Sequence, residues 1–226
     1  MVYKDYVAMD QLTFKFPFSK KYYEQDFFVS NNNFSAFSLI DSWPNWPGKW
    51  LNIFGESGSG KTHLSKILQR KITNSKIIEA KNINNKIVED LNKIDCLIVD
   101  GFDNIIDEKL LYSILNQSKL KDNYVLINSS ISINKINFNL QDLISRINSF
   151  IFIGIDLPTD DLLRVIIAKT LSDKQINISP KLTDYIINNV ERSYEKMFKF
   201  LKDLDELSLS TGKSININLI KKVINQ

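Results

Sequence analysis

The chain is short of the residues that carry most thiol and metal chemistry: it has one cysteine, Cys96, and one histidine, His63. A single thiol forms no internal disulfide, and Cys96 sits in an apolar run, where it reads as a small buried side chain. A thiol-poor chain suits a reducing compartment. One histidine without partners builds neither a zinc site nor a Ser-His-Asp triad, so His63 reads as a packing or hydrogen-bonded residue. Net charge is also lacking: 29 Lys and Arg against 26 Asp and Glu leave +3. That balance argues against a strongly basic nucleic-acid binder, and no direct sequence-specific DNA binding is expected. No apolar stretch approaches the roughly 20 residues that cross a bilayer, so no membrane association is expected. The opening residues 1–10 have neither the apolar core nor the cleavage site of a secretory signal. A cytoplasmic location is expected. No internal repeat is visible, and the heavy use of Asn, Ile and Lys reads as compositional bias rather than function.

What remains is an ordinary globular composition, 43% hydrophobic and 24% charged over 226 residues, enough to bury a core without staples. Residues 1–20 read as a flexible N-terminal segment interrupted by Pro17. Over 21–157, short apolar runs alternate with helical patterns. Trp50–Phe54, Lys76–Ala80, Cys96–Asp100, Tyr124–Asn128 and Phe150–Ile155 read as buried strands. A helix begins at Gly60, and another carries Ile106, Leu110, Leu111, Ile114 and Leu115 on one face. Turn residues from Trp43 to Gly48 end a short helix over Asn33–Ser42. This alternation predicts an α/β fold, a doubly wound parallel five-stranded sheet. From 158 to 226 the pattern becomes all-helical. Helices start at Thr159-Asp160 and Ser179-Pro180, and a third helix closes at Gly212.

The strongest motif is Gly55-Glu56-Ser57-Gly58-Ser59-Gly60-Lys61-Thr62, which satisfies the phosphate-loop pattern G-x-x-x-x-G-K-[ST] between a strand and a helix. Glycines let backbone N–H groups turn inward around phosphates, and the helix start adds favourable partial charge. Lys61 brings a point charge to the β/γ-phosphates and Thr62 a hydroxyl to Mg²⁺. The expected cofactors are therefore ADP or ATP with Mg²⁺. Asp100, closing the run Leu97-Ile98-Val99, is placed to complete the metal shell. The next position, where hydrolysing relatives carry a second acid, is Gly101, and Asp103 is out of register. The chain's own turnover is therefore expected to be weak or absent. Asn128 and Ser129, at the end of the fourth strand, stand where a polar side chain can sense a γ-phosphate. Arg146 stands where it can reach the nucleotide of a neighbouring molecule.

Gly60-Lys61-Thr62-His63-Leu64, the run Phe28-Val29-Ser30-Asn31-Asn32, Asp142-Leu143-Ile144-Ser145-Arg146 and Leu157-Pro158 together resemble the AAA+ domain of the DnaA family of replication initiators. The resemblance spans about residues 22–226. A layout without the family's DNA-binding and N-terminal domains is similar to the Hda type of DnaA-homologous regulator. The resemblance implies a small helical lid after the sheet and a regulator of replication initiation that stimulates ATP hydrolysis by the DnaA initiator. In that role Arg146 acts as an arginine finger in trans, and Phe28, Val29, His63 and Lys196 lie about the chain's own nucleotide. The lid arginine of the family is replaced by Glu195, with Arg192 and Lys196 beside it. A homodimer is compatible with the resemblance. Gln11-Leu12-Thr13-Phe14-Lys15-Phe16 is similar to the peptides that dock on the DNA polymerase III β sliding clamp; Gln11 would fill a polar pocket and Leu12, Phe14 and Phe16 an apolar groove. An active ATPase of the helicase-loader kind, or an adaptor that contributes no catalytic group, are the alternative readings.

Overall fold

A computed structural model describes residues 24–103 and 106–225, which fall into two compact units, 24–159 and 160–225. The first is built on a five-stranded sheet in the order β2-β3-β4-β1-β5, with every neighbouring pair parallel. The strands are β1 (Trp50–Phe54), β2 (Ser75–Glu79), β3 (Cys96–Phe102), β4 (Tyr124–Ser129) and β5 (Ile151–Gly154). Their near-continuous apolar runs follow from burial on both faces. Alternate residues go to opposite cores, with Leu97, Val99, Val125 and Ile127 on one side and Leu51, Ile53, Ile98 and Leu126 on the other.

Five helices accompany the sheet: α1 (Phe34–Asp41), α2 (Lys61–Lys71), α3 (Lys86–Asp90), α4 (Glu108–Leu120) and α5 (Gln141–Ile147). Helix α2 packs Leu64, Ile67 and Leu68 into one core; α4 and α5 give Leu111, Ile114, Leu115, Leu143 and Ile147 to the other. Asp107 caps α4 by accepting from the N–H groups of Lys109 and Leu110. Strand β1 lies between β4 and β5, so the chain reverses its direction of winding beside it. The carboxyl end at such a reversal is where open α/β sheets leave a crevice for ligands.

The second unit is all-helical: α6 (Asp160–Ser172), α7 (Pro180–Asn189), α8 (Tyr194–Thr211) and α9 (Ile217–Ile224). Leu163, Ile167, Ile186, Met197, Leu201, Leu204 and Ile220 form its core. Ser179 caps α7 ahead of Pro180, Ser193 caps α8, and Gly212, at φ +62°, ends α8 in a left-handed turn that favours glycine. No described helix is long and apolar enough to cross a membrane.

The sequence pattern places all five strands, with ends shifted by a residue or two. Ala80 leaves β2 for a 3-10 turn, Phe150 and Ile155 lie outside β5, and β3 runs on to Phe102. Helices α3 and α5, of five and seven residues, are too short to show a periodic pattern. Helix α9, with its Asn216 cap, is an addition to the three helices expected after 158.

Candidate functional site

The phosphate loop runs from the end of β1 into α2. Gly58 and Gly60 take φ of +86° and +98°, a region costly for side-chain-bearing residues. A Cβ on Gly60 would also lie 2.9 Å from the Phe27 ring. Gly60 occupies the N-cap position without a side-chain cap, so the first amides of α2 keep their hydrogen-bonding capacity for the loop side. Lys61 Nζ donates to the carbonyls of Gly55 at 2.7 Å and Glu56 at 2.8 Å, and to Ser59 Oγ at 3.4 Å. Burial lowers the Lys61 pKa from the ordinary lysine value, against the opposing pull of Asp100 and Glu56.

One step further along α2, Thr62 Oγ1 donates to Asp100 Oδ2 at 2.7 Å. The other carboxylate oxygen of Asp100 accepts from Asn128 Nδ2 at 2.8 Å, and the same amide nitrogen donates to Ser65 Oγ at 2.7 Å. Asn128 is fully buried, and its Oδ1 has no hydrogen-bond partner. A buried acceptor of this kind is costly unless it serves something. The connected set Thr62, Asp100, Asn128 and Ser65 lies on the α2 side of the sheet.

Ser129 faces the other way, as the alternation of a strand requires. Its Oγ accepts from Asn52 Nδ2 at 2.9 Å and donates to the Ile131 carbonyl at 2.6 Å. Asn52 Nδ2 also donates to the Ile127 carbonyl, and Asn52 Oδ1 accepts from the Ile133 amide at 3.1 Å. The two sequence neighbours named as sensors therefore divide between faces, and Asn128 alone joins the Thr62–Asp100 pair.

Gly101 has a structural reason to be glycine. Val99 pairs with Ile127 and Phe102 with Ser129, so β3 carries one extra residue opposite Asn128. This is a β-bulge, and Gly101 takes φ +68° within it. A Cβ there meets no atom within 4 Å, so backbone conformation and not crowding selects against a larger residue. Asp103 is exposed past the end of β3.

The segment ahead of α1 lies against this loop. The Phe27 ring meets His63 edge-on at 5.2 Å and stacks on Phe37 at 5.7 Å, which gives His63 a packing role. Asn33 accepts from the Ser30 amide and donates to the Phe28 carbonyl, and Asn32 bonds to the Leu157 carbonyl and accepts from the Asp156 amide. These ties hold Phe28, 46% exposed, and Val29 in place.

Arg146, half-buried near the end of α5, donates from Nη2 to Asn116 Oδ1 of α4 at 2.9 Å. In the second unit, Arg192 makes a two-point ion pair with Asp160, at 2.8 and 3.1 Å. Lys196 and Glu195 are exposed on the first turn of α8. Cys96 is buried, and burial pushes its thiol up to about 12, so it is an inert core residue. Gln11, Leu12, Thr13, Phe14 and Phe16 lie outside the described residues.

Among the described residues no group of three or more His, Cys, Asp or Glu could hold a metal by itself. The Thr62–Asp100 pair fits the sparse protein share of a Mg²⁺ shell that is completed by phosphate oxygens and water. Residues missed in sequence were Ser65, Phe27, Asn52 and Asn116. Ser65 stands three residues after Thr62 on the same helical face, and Asn52 is a polar break in an apolar strand; both were readable signals. Phe27 and Asn116 left none.

Residues 160–224 match the family model of the Hda lid domain. The matched stretch is the all-helical unit, α6 to α9. Its fold is similar to domain III of the Thermotoga maritima replication initiation protein DnaA, with a TM-score of 0.75 and 18% identity, covering 93% of this chain and 98% of that one. It is similar also to AMPPCP-bound DnaA from Aquifex aeolicus, with a TM-score of 0.66 and 20% identity over 86% of this chain and 68% of that one. A Haemophilus influenzae protein described as uncharacterized is 22% identical over 213 residues, 89% of this chain and 92% of its own length. The chain thus shares the fold of these DnaA structures, a parallel sheet followed by a helical unit that matches the Hda lid model.

Proposed function

We propose that the chain is a negative regulator of replication initiation, which binds a sliding clamp and stimulates ATP hydrolysis on DnaA through Arg146. Its own phosphate loop, Gly55 to Thr62, holds ADP or ATP, with Thr62 and Asp100 toward Mg²⁺ and Asn128 toward the terminal phosphate. Phe28 and Val29 flank the base. Ser129 serves the fold on the opposite face of the sheet, where it holds Asn52. A bound Mg²⁺ supplies charge neutralisation along the phosphates; the protein's own residues supply position.

The observation that carries the reading is the pairing of an intact Lys61–Thr62–Asp100 set with Gly101 in a left-handed bulge where a second acid would stand. Such a site is built to retain nucleotide, with catalysis directed elsewhere. Arg146 supplies that second half. A guanidinium has five N–H donors, so the bond to Asn116 leaves others for the phosphates of a partner. Docking of Gln11 to Phe16 in a clamp groove would bring the chain to DNA that is already replicating.

The test is the loss of labelled ATP from DnaA in the presence of DNA-loaded clamp. Wild-type chain should accelerate it, and Arg146→Ala should remove an effect of about 10³-fold. Gln11→Ala with Leu12→Ala should abolish the clamp requirement's benefit while leaving the fold intact. No acceleration by wild-type chain refutes the proposal and favours an ATPase of the helicase-loader kind.

A further inference from the structure

Helix α5 has only seven residues, and its N-cap residue, Leu140, gives it no side-chain cap. A helix this short is not stable alone, so its position must come from tertiary anchors. Apolar packing of Leu143 and Ile147 against α4 residues fixes its face, but such contacts are non-directional and leave sliding along α4 weakly resisted. Two polar attachments resist it. Near the end of α5, Arg146 bonds to Asn116. At its start, the Glu108 carboxylate accepts from the Asn139 amide at 3.0 and 2.9 Å, from Asn139 Nδ2 at 3.2 Å and from the Leu140 amide at 2.8 Å.

Glu108 and Asn116 are both on α4, eight residues apart, or roughly 12 Å along the axis. The start of α5 is tied to the start of α4 and its end to the third turn of α4, so α4 acts as a ruler for α5. We propose that Glu108 is a positioning residue for Arg146, clamping the turn before α5 so that the guanidinium meets a partner's phosphates at a fixed height. The inference rests on the finger role of Arg146 given above. The carboxylate does a job that no neutral side chain does as well, because a charged acceptor takes up several amide donors at once. These same bonds hold the Glu108 pKa below the usual carboxylate range.

The experiment measures ATP hydrolysis on DnaA under single-turnover conditions across a titration of full-length chain, comparing wild type, Glu108→Ala, Glu108→Gln and Arg146→Ala. Displacement of a catalytic group by about 1 Å costs up to 10²-fold, so Glu108→Ala should lower the maximal rate by about 10- to 100-fold. The chain concentration for half-maximal effect and the chain's own nucleotide affinity should stay at the wild-type values. Glu108→Gln, which keeps one acceptor oxygen, should recover part of the rate. Hydrogen exchange at Asn139 and Leu140 should quicken in Glu108→Ala without general loss of protection. If Arg146→Ala abolishes stimulation and Glu108→Ala retains all of it, the positioning role is refuted and the finger stands. A loss in Glu108→Ala that follows only a smaller folded fraction refutes it too. If stimulation survives Arg146→Ala, the finger reading fails, and the clamp has nothing to position.

Discussion

Replacing Lys61 by methionine keeps most of the aliphatic stem and removes the ammonium, which isolates what the charge contributes to nucleotide binding. The ammonium contacts the Gly55 and Glu56 carbonyls at 2.7 and 2.8 Å, so binding exchanges these partners for phosphate oxygens rather than filling unused donors. The net effect is that of a hydrogen bond to a charged group, about 1.5–3 kcal/mol. That corresponds to a loss of affinity of roughly 10- to 150-fold. Titration with a fluorescent ADP analogue reads this directly. Thermal melting gives a second reading, since a hundredfold excess of nucleotide over its Kd stabilises by about 2.7 kcal/mol. For a chain of this size that is a rise in Tm of about 5–11 °C, and the variant at the same concentration should show at most about half of that, roughly 1–6 °C. Without nucleotide the variant should melt somewhat lower, because the carbonyl of buried Gly55 loses its donor. Equal affinity of Lys61→Met and wild type would falsify the assignment of this loop as a phosphate site.

Three further outcomes follow from the geometry. Gly101→Glu should destabilise by about 1–2 kcal/mol, because it forces a side-chain-bearing residue to φ +68°; an unchanged Tm refutes the bulge argument. Asn52→Ala leaves the buried Ile133 amide without its acceptor and should cost about 1–3 kcal/mol in denaturant unfolding. Nucleotide affinity should not change, since Asn52 lies on the sheet face away from Asn128. The Glu108 carboxyl is depressed in the folded chain, so its anchoring is present above the ordinary glutamate range. It is lost only as pH falls below that range, toward the lowered folded value. Exchange protection at Asn139 and Leu140 should thus survive to about pH 4.5 and then fade, and loss already at pH 6 refutes the assignment.

The parts of the fold legible in sequence were those with a long or sharp signal. Five apolar runs gave five strands, and Gly55 to Thr62 gave the phosphate loop because glycine spacing and strand–helix context coincide there. Ser179-Pro180 and Gly212 marked helix ends by the chemistry of capping itself. Helix α5 was not legible, since seven residues give two turns and its cap comes from Glu108, more than 30 residues earlier in the chain. The division of Asn128 from Ser129 was hidden for a different reason. Both lie at the end of β4, and only the strand's pleat decides which of them meets Asp100. The bulge at Gly101 was equally invisible: the missing acid could be read, but the extra residue that makes room for glycine is a matter of register with β4.

The pairing inside the phosphate loop and the one from Thr62 to Asp100 on β3 give the site a logic that neither has alone. To engage a ligand, Lys61 must leave two carbonyls, which only an anion can induce, and Thr62 must loosen from Asp100, which a cation favours. A bare phosphate offers the first exchange and a bare divalent ion the second. On the proposed reading a magnesium–nucleotide complex offers both together, so the site would work as a coincidence detector, answering more strongly to the two ions arriving as one than to either alone.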